Sequence, residues 1–465
     1  TYTLGAVSKD DSSAFDSATA GKGSEKSIVQ VAVDSSTLDT KGKVALTTEE
    51  TTEVKMNGIN ASASVNGSVS GTVGILGVHR NSSVEVTSSS IHASELDAKA
   101  NVNGKSDLNI YQGTVGGVAS IGAAYGSIST DGKAGVGIKD SSIESTGEVN
   151  LSAEDTSQAD VDAIGVALAG GGAASVIVAE GTNRGETTVT VNHTDITAGN
   201  TISVNAKREA EGDSLHVRAI AGSGGLIFAG AGVSAIANEM GTVGTEVIGG
   251  SHFTAGDTIG LYAKNAPSVT AETGAVSGSM FASAAITVAE ANVGSPDEDD
   301  HLKTSVKVDD SNTFTANQVT ANAEADIKQK VDMNALSISV SPFPSGAVQV
   351  NTGGTEAYSD VTVNIGASVF QGKDSNTVGL NVSGSNLVTQ TTASRGISAS
   401  TGIATGTNLA STAAYLSTQV TATGSEASRL GNVDIKGSSS ATIDNDANGY
   451  GGAFIDISPY AAMVE

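Results

Sequence analysis

The chain has 465 residues, of which 57 are glycine, none is cysteine or tryptophan and only 3% are aromatic, and its net charge is −26. So few large side chains exclude a thick globular core, while the charged fraction of 16% and the five prolines argue against an intrinsically disordered chain. The negative charge argues against nucleic acid and anionic membrane surfaces as partners, and no run reaches the roughly 18 apolar residues that span a bilayer.

A strand–turn–strand motif recurs along the chain. Apolar and polar residues alternate within each copy, as at Val189, Val191, Ile202 and Val204, which predicts strands with one buried face. The copies begin at Val31, Val84, Val136, Val189, Glu246, Val306, Val361 and Val420. The first apolar residues of their last strands are Val44, Leu96, Val149, Ile202, Ile259, Val319, Val378 and Val433. The unit is therefore about 55 residues long, a period typical of solenoids.

One position of the motif is a large apolar residue in most copies. This column consists of Leu38, Ile91, Ile143, Ile196, Phe253, Phe314 and Phe370. If the copies stack in register, these side chains form an internal ladder along the axis. Such a ladder supplies a continuous core that no single copy has.

The segments between the motifs are rich in Ala and Gly, as in VDAIGVALAGGGAASVIVAEG from Val161. Their Val, Ile and Thr content and their repeated Gly, which costs about 1 kcal/mol at each position inside a helix, favour strand over helix. Small side chains let two sheets approach closely, so we expect a narrow, flattened lobe. A chain reversal at the Gly-rich centre favours one wide coil per unit, whereas the similar lengths of the two halves favour two small coils.

These patterns predict an all-β chain that folds as a right-handed parallel β-solenoid of about eight tandem repeats of about 55 residues. Residues 1–27 are predicted to be a partial preceding repeat, and residues 28–465 to be one continuous, elongated array. The final copy stops at Glu465, where earlier copies run on into another strand. We therefore expect the chain to be cut within an ongoing array of a longer protein.

The recurring frame VxVxxSxIxAxGxVxLxA, the Ala- and Gly-rich segments and the string ISPYAAMVE at 457–465 resemble the repeat arrays of very large secreted bacterial filamentous adhesins. The similar types are the filamentous-haemagglutinin-like and leukotoxin-type adhesins, and the resemblance extends over nearly the whole chain from about Ser27. It implies a parallel β-solenoid stalk on the cell surface, exported by a dedicated route, with no catalytic residues. The unit of about 55 residues is longer than the short coil repeat of filamentous haemagglutinin, so the resemblance does not determine the shape of the cross-section.

We assign no residue to catalysis, to a cofactor or to a metal. The acidic run from Asp297 to Asp300, followed by His301, offers oxygen ligands for Ca²⁺, but it lacks the Asp/Asn and Gly spacing of calcium loops, and we interpret it as a solvated loop. The other histidines are His79, His92, His193, His216 and His252. His92, His193 and His252 occupy the same region of the repeat, but not in consecutive copies, so we expect solvent-exposed side chains rather than a metal-binding ladder.

The predicted function is a structural or adhesive segment of a giant secreted surface protein, which forms a rigid extracellular fibre or stalk for adhesion or biofilm matrix. The alternative is a self-assembling extracellular filament or surface-layer component. A polysaccharide-active β-helix enzyme is the third reading, but dispersed carboxylates, absent Trp and unclustered Tyr argue against it, and we predict no enzyme. Expected partners are other copies or flanking repeats, joined end to end, and a cell-surface or glycan receptor, without nucleic acid or membrane insertion. Polar and charged rows are expected to cover the outside and keep neighbouring fibres apart.

Overall fold

The computed structural model describes residues 2–10, 17–373 and 376–464. Strands make up 83% of the structure, and the described residues contain no α-helix, only short 3-10 turns such as Glu298–Asp300. The paired strands run parallel, which confirms the predicted all-β fold with parallel sheets and is consistent with a β-solenoid. Residues 1 and 11–16 of the predicted partial repeat, and Glu465, lie outside the described residues.

Three sheets, here called A, B and C, extend along the stack, and most coils visit them in that order. Sheet A contains Tyr2–Asp10, Lys43–Ser64, Glu95–Gly116, Val149–Asp155, Gln158–Ala169, Ile202–Glu209, Leu215–Gly225, Thr258–Ala266, Ser268–Ser279, Gln318–Ser339, Val378–Ser400 and Leu430–Gly452. Sheet B contains Ser17–Asp34, Gly67–Thr87, Ala119–Lys139, Gly172–Asn192, Phe228–Ile248, Ala282–Val293, Leu302–Val308, Gly346–Gln371, Ile403–Gly424, Ile455–Ile457 and Tyr460–Val464. Sheet C contains Thr37–Asp39, Ser90–Ala93, Ser142–Ser145, Asp195–Ala198, His252–Ala255 and Thr313–Thr315, and the last residues of Gly346–Gln371 join it.

A single coil illustrates the path of the chain. Strand Glu95–Gly116 crosses sheet A, and the chain reverses and returns along Ala119–Lys139 in sheet B. It then forms the short strand Ser142–Ser145 of sheet C before it enters sheet A again at Val149. The corner between sheets B and C has a left-handed residue in successive coils, namely Ser35, Ser88, Asp140, His193 and Gly249.

Neighbouring strands of sheet A pair residues that are one sequence unit apart. The predicted marker positions lie side by side from Val44 to Val319, each 52 to 60 residues from the next. Val319 then pairs with Leu380, and Leu380 with Val433, so the predicted marker Val378 is wrong by two residues. Residues two apart face the same side of a strand, so alternation alone does not choose between them. Because the partner is always a full unit away, each unit forms one wide coil.

The predicted ladder is confirmed along sheet C. Leu38 pairs with Ile91, and the pairing continues without a break to Phe370. The rings of Phe253 and Phe314 stack at 5.3 Å between centroids, and those of Phe314 and Phe370 at 5.2 Å. Each of these side chains contacts its equivalent in the next coil, which makes the core continuous along the axis.

The interior is divided into two apolar clusters. In the wide lobe, sheets A, B and C enclose Val, Ile, Leu and Phe side chains, among them Val86, Ile91 and Leu96. In the narrow lobe, sheets A and B face each other directly around smaller residues such as Ala163 and Ala235. The Ala-rich half of the unit therefore forms the narrow lobe, as its side-chain sizes predict.

At the tip of the narrow lobe, hydroxyl side chains point inward and large apolar side chains point outward. Ser337 and Ser339 are buried, whereas Ile338 between them is 37% exposed. The two sheets converge here, because a Cβ at Gly116 would overlap the backbone of Ala119 on the facing strand. Only small side chains fit between sheets this close, so the branched residues face solvent.

The described stack is broader across a coil than it is tall along its axis. A 22-residue strand such as Glu95–Gly116 spans about 70 Å. The seven pairings from Val44 to Val433 rise together about 34 Å at the usual strand spacing. Elongation along the axis therefore requires further coils or further copies.

Candidate functional site

Five charged side chains are buried at the waist, the region between the two apolar clusters. They are Glu50, Arg80, Asp155, Arg208 and Glu239, which alternate in sign along the chain. Sheet A contributes Glu50, Asp155 and Arg208, and sheet B contributes Arg80 and Glu239. We call this set the buried charge line.

Arg208 forms the centre of the buried charge line. Its Nη2 donates a hydrogen bond to Glu239 Oε1, its Nη1 donates to the Met240 carbonyl at 3.1 Å, and its Nε lies 3.5 Å from Asp155 Oδ2. Burial lowers the pKa of Arg208, but the charges of Glu239 and Asp155 outweigh it, so the pKa lies above the usual arginine value. The guanidinium therefore stays charged inside the solenoid.

Glu239 receives further hydrogen bonds in addition to that from Arg208. Asn183 Nδ2 donates to its two oxygens at 3.2 and 3.1 Å, and Ser214 Oγ donates at 3.0 Å. Burial raises the pKa of Glu239, while Arg208, Ser214 and Asn183 oppose that rise. These groups come from two successive coils, so the cluster connects the coils through side chains as well as backbone.

Arg80 and Glu50 form the other end of the line. Arg80 Nε lies 4.0 Å from Glu50 Oε2, and its Nη2 donates to Ser106 of the next coil. Burial lowers the pKa of Arg80, while Glu50 and Asp155 oppose the change. The two arginines thus lie between carboxylates, which compensates part of the cost of burying them.

Glycines of the facing strands make room for these side chains. A Cβ at Gly104 would overlap the Arg80 guanidinium, and one at Gly185 or Gly241 would overlap that of Arg208. A Cβ at Gly132 would lie 2.9 Å from Asp155 Oδ2. Glycine in the middle of a strand is unfavourable unless something approaches it closely, and the buried charges do so here.

The buried charge line is suited to holding coils in register. Its members are almost fully shielded from solvent. A surface depression of about 340 Å³ beside Gly185 is lined by Asp131, Lys133, Arg184 and Glu186, so its charges are mixed. A slip of one residue in a strand would turn its buried charge to solvent and leave the partner charge buried alone.

Alternation of inward and outward residues in the sequence contains the signal for these buried charges. Residues an even number of positions apart in a strand face the same side. Arg208 therefore faces inward with Val204 and Ala206, and Asp155 faces inward with Leu151 and Ala153. A charged residue at an inward position is expected to need a charged partner. The identity of that partner depends on contacts between coils.

The structure places the acidic run on an exposed turn outside the stack. Asp297 precedes the 3-10 turn Glu298–Asp300, and its carboxylate accepts a hydrogen bond from the Asp299 amide at 3.2 Å. His301 instead faces Asp360 of the next coil at 2.9 Å. No group of three or more His, Asp or Glu side chains suited to a metal ion occurs among the described residues.

The histidines are not brought together, and each faces a carboxylate of an adjacent coil. His193 Nδ1 lies 2.9 Å from Asp140, and His252 Nδ1 lies 2.9 Å from Asp195. The remaining pairs are His79 with Asp131, His92 with Glu144, His216 with Asp160 and His301 with Asp360. These contacts span one unit each, so they are cross-strand pairs rather than a metal-binding ladder.

The expectation of a polar exterior holds for the wide lobe and is wrong for the narrow lobe. On the outer surface of the tip, large apolar side chains are exposed in successive coils, for example Val118, Ile227, Phe281 and Phe343. The physical reason is the convergence of the sheets, which leaves no interior space for these residues.

The chain matches no protein-family model, no curated protein and no solved structure. In the part of the chain that the structure describes, no helix has the length and apolar character needed to cross a membrane.

Proposed function

We propose that the chain is a segment of a giant secreted bacterial surface protein of the filamentous-adhesin type. In this proposal about eight repeats of about 55 residues form a right-handed parallel β-solenoid. The solenoid acts as a rigid extracellular fibre or stalk for adhesion or biofilm matrix.

The observation that supports this proposal best is the pairing of equivalent residues in successive coils. Equivalent residues pair from Leu38 to Phe370 along sheet C and from Val44 to Val433 along sheet A. Rigidity along the axis follows from backbone hydrogen bonds, the stacked apolar ladder and the buried charge line, because bending the stack would open all three. An extended scaffold needs these properties.

Immunogold electron microscopy tests the proposed location and role. Antibodies against the folded chain should label the surface of intact bacteria that produce it, and protease treatment of those cells should remove the label. Label confined to the cell interior would contradict the proposal.

A second candidate is a filament that assembles from copies joined end to end. In this arrangement a coil of another copy would cover Val433, Ile435 and Phe454, which are exposed in the last described strands. Electron microscopy of the purified chain at increasing concentration separates the candidates. Growth along the solenoid axis supports end-to-end assembly, and particles of constant height support a stalk segment.

A further inference from the structure

The face of the narrow lobe formed by sheet B is apolar from coil to coil. Its outward residues Ile121, Val176, Phe228, Ile286, Val348 and Ile403 are each 39% to 52% exposed. We call this surface the sheet B apolar face. The residues between and beside them are mostly Ala and Gly, so the surface is also nearly flat.

No charged residue interrupts this face. The segments 119–130, 172–179, 228–238, 282–289, 346–355 and 403–425 contain no Asp, Glu, Lys, Arg or His, although 16% of the chain is charged. The opposite face, formed by sheet A, differs because Arg395 is exposed there beside Asn334, with Asp332 nearby. No such charge lies in those segments of the sheet B apolar face.

The apolar side chains of this face have no alternative place inside the lobe. Thr287 is buried next to the exposed Ile286, and Ser175 is buried next to the exposed Val176. The convergence of the sheets keeps hydroxyls inside and branched side chains outside. Their exposure thus results from the fold, and only an external partner removes them from water.

The size of the face is suited to a stable protein–protein contact. Its six strands form five pairings, which rise about 24 Å along the axis, and it extends about 30 Å along the strands, so its area is on the order of 700 Å². A standard interface buries about 800 Å² on each partner, and exposed apolar patches on monomers are usually smaller than about 600 Å².

We propose that a second copy of this chain packs against the sheet B apolar face, with the two equivalent faces in contact around a two-fold axis. Each copy has a net charge of −26, so two copies repel each other wherever charged surfaces meet. This face is the surface on which they meet without bringing charges together. A contact between identical flat sheets is self-complementary, as a two-fold interface requires.

The proposed contact between two copies also has a position where a side chain of one copy can insert between side chains of the other. Gly232 lies between Val176 and Ile286 on neighbouring strands, and a Cβ at Gly232 would meet no atom within 4 Å. This opening between two branched side chains accepts one side chain of the partner copy. Lateral pairing goes beyond the proposed stalk, because a stalk functions as a single solenoid.

Light scattering and small-angle X-ray scattering of the full chain test the pairing over a hundred-fold range of concentration. We expect the mass to double as the concentration rises, with the particle thickness doubling and the dimension along the axis unchanged. The double variant Val176→Glu with Ile286→Glu should stay monomeric, because it places like charges in the contact. Val276→Glu is the matched control, since Val276 is 50% exposed on the sheet A face of the same lobe, and it should still pair.

Circular dichroism and the thermal midpoint of each variant establish that it is folded, as expected for substitutions of exposed residues. A wild-type chain that is monomeric at every concentration overturns the proposal. So does pairing that survives in the double variant, because the contact then lies elsewhere, for example at the ends of the stack. Monomers that float with phosphatidylcholine vesicles and lose this in the double variant would identify a lipid surface, and not a second copy, as the occupant.

Discussion

Arg208 illustrates what a single buried residue contributes to this fold. Its guanidinium contacts Glu239, Asp155 and the Met240 carbonyl, and it is nearly inaccessible to solvent. Replacing one member of such a cluster leaves the opposite charges buried without compensation. We expect Arg208→Met to lower the free energy of unfolding by about 3–5 kcal/mol, measured by denaturant titration.

Arg218→Met is the matched control for Arg208→Met. Arg218 donates two hydrogen bonds to Asp162, at 2.9 and 2.7 Å, but it lies on the outer face of sheet A. A solvent-screened pair of this kind contributes about 0–1 kcal/mol, so the control should lose no more than that. Equal losses in the two variants would show that burial of the charge line has no special role.

His216 makes part of the stability dependent on pH. Its Nδ1 lies 3.3 Å from Asp160 and its Nε2 lies 3.8 Å from Glu272, while Lys330 and Asp213 line the same depression. The hydrogen bond to Asp160 raises the pKa of His216 and burial opposes the rise. The stabilisation is therefore complete below the unfolded pKa of about 6.5 and disappears as the pH rises through the folded pKa.

His216→Gln tests this dependence, because Gln keeps a donor for Asp160 but does not titrate. We expect the thermal midpoint of the wild-type chain to be higher than that of the variant. The difference should be largest near pH 5.5 and should shrink towards about pH 8. For a partly exposed pair the effect corresponds to less than about 1 kcal/mol. A difference that is constant across this range would contradict the prediction.

At the scale of the strand, glycine and arginine positions are matched across the waist. Gly185 on sheet B faces Arg208 on sheet A so closely that a Cβ would overlap the guanidinium. We expect Gly185→Ala to lower the free energy of unfolding by about 1–3 kcal/mol, since the facing side chain must move. In Gly77→Ala the added Cβ meets nothing within 4 Å, so that variant should be unchanged within about 0.5 kcal/mol or slightly more stable.

For the whole molecule, the register defines which deletions the stack tolerates. Gly260 pairs with Thr320 in the next coil. Deletion of 260–319 therefore removes one unit and joins Ile259 to Thr320, which takes the place of Gly260 in the strand. We expect this variant to fold with an unchanged β-sheet spectrum and a height reduced by about 4.8 Å in scattering measurements. Phe253 would then stack on Phe370, and the ladder would stay continuous.

Deletion of 260–320 is the control, because it removes one residue more. Loss of that extra residue exchanges the inward and outward faces of the strand that follows, so Ala321 and the buried residues after it would face solvent. We expect this variant to aggregate or to lose cooperative unfolding. Similar behaviour of the two deletions would show that register is not the property that stabilises the stack.

Much of the fold could be predicted from local pattern. Alternation identifies inward residues such as Ile196 and Val204, and the column from Leu38 to Phe370 was predicted in full, because equivalent residues of stacked repeats must pair. The buried charge line was missed, although the parity of Arg208 indicates it. Its contact with Glu239 joins residues 31 positions apart on different sheets, and no local period encodes that distance.

The sequence by itself determined the strands, their parallel pairing and the interior of the wide lobe, because strand alternation and a recurring unit of about 55 residues leave one way to bury the large residues. Only the tertiary structure decided that each unit is one wide coil and that Ile286 and Val176 lie outside while Thr287 and Ser175 lie inside. Parity assigns residues to two faces of a strand, but the separation of the facing sheets determines which face has room for a branched side chain. At the narrow tip that separation is small, so the apolar face is the outer one.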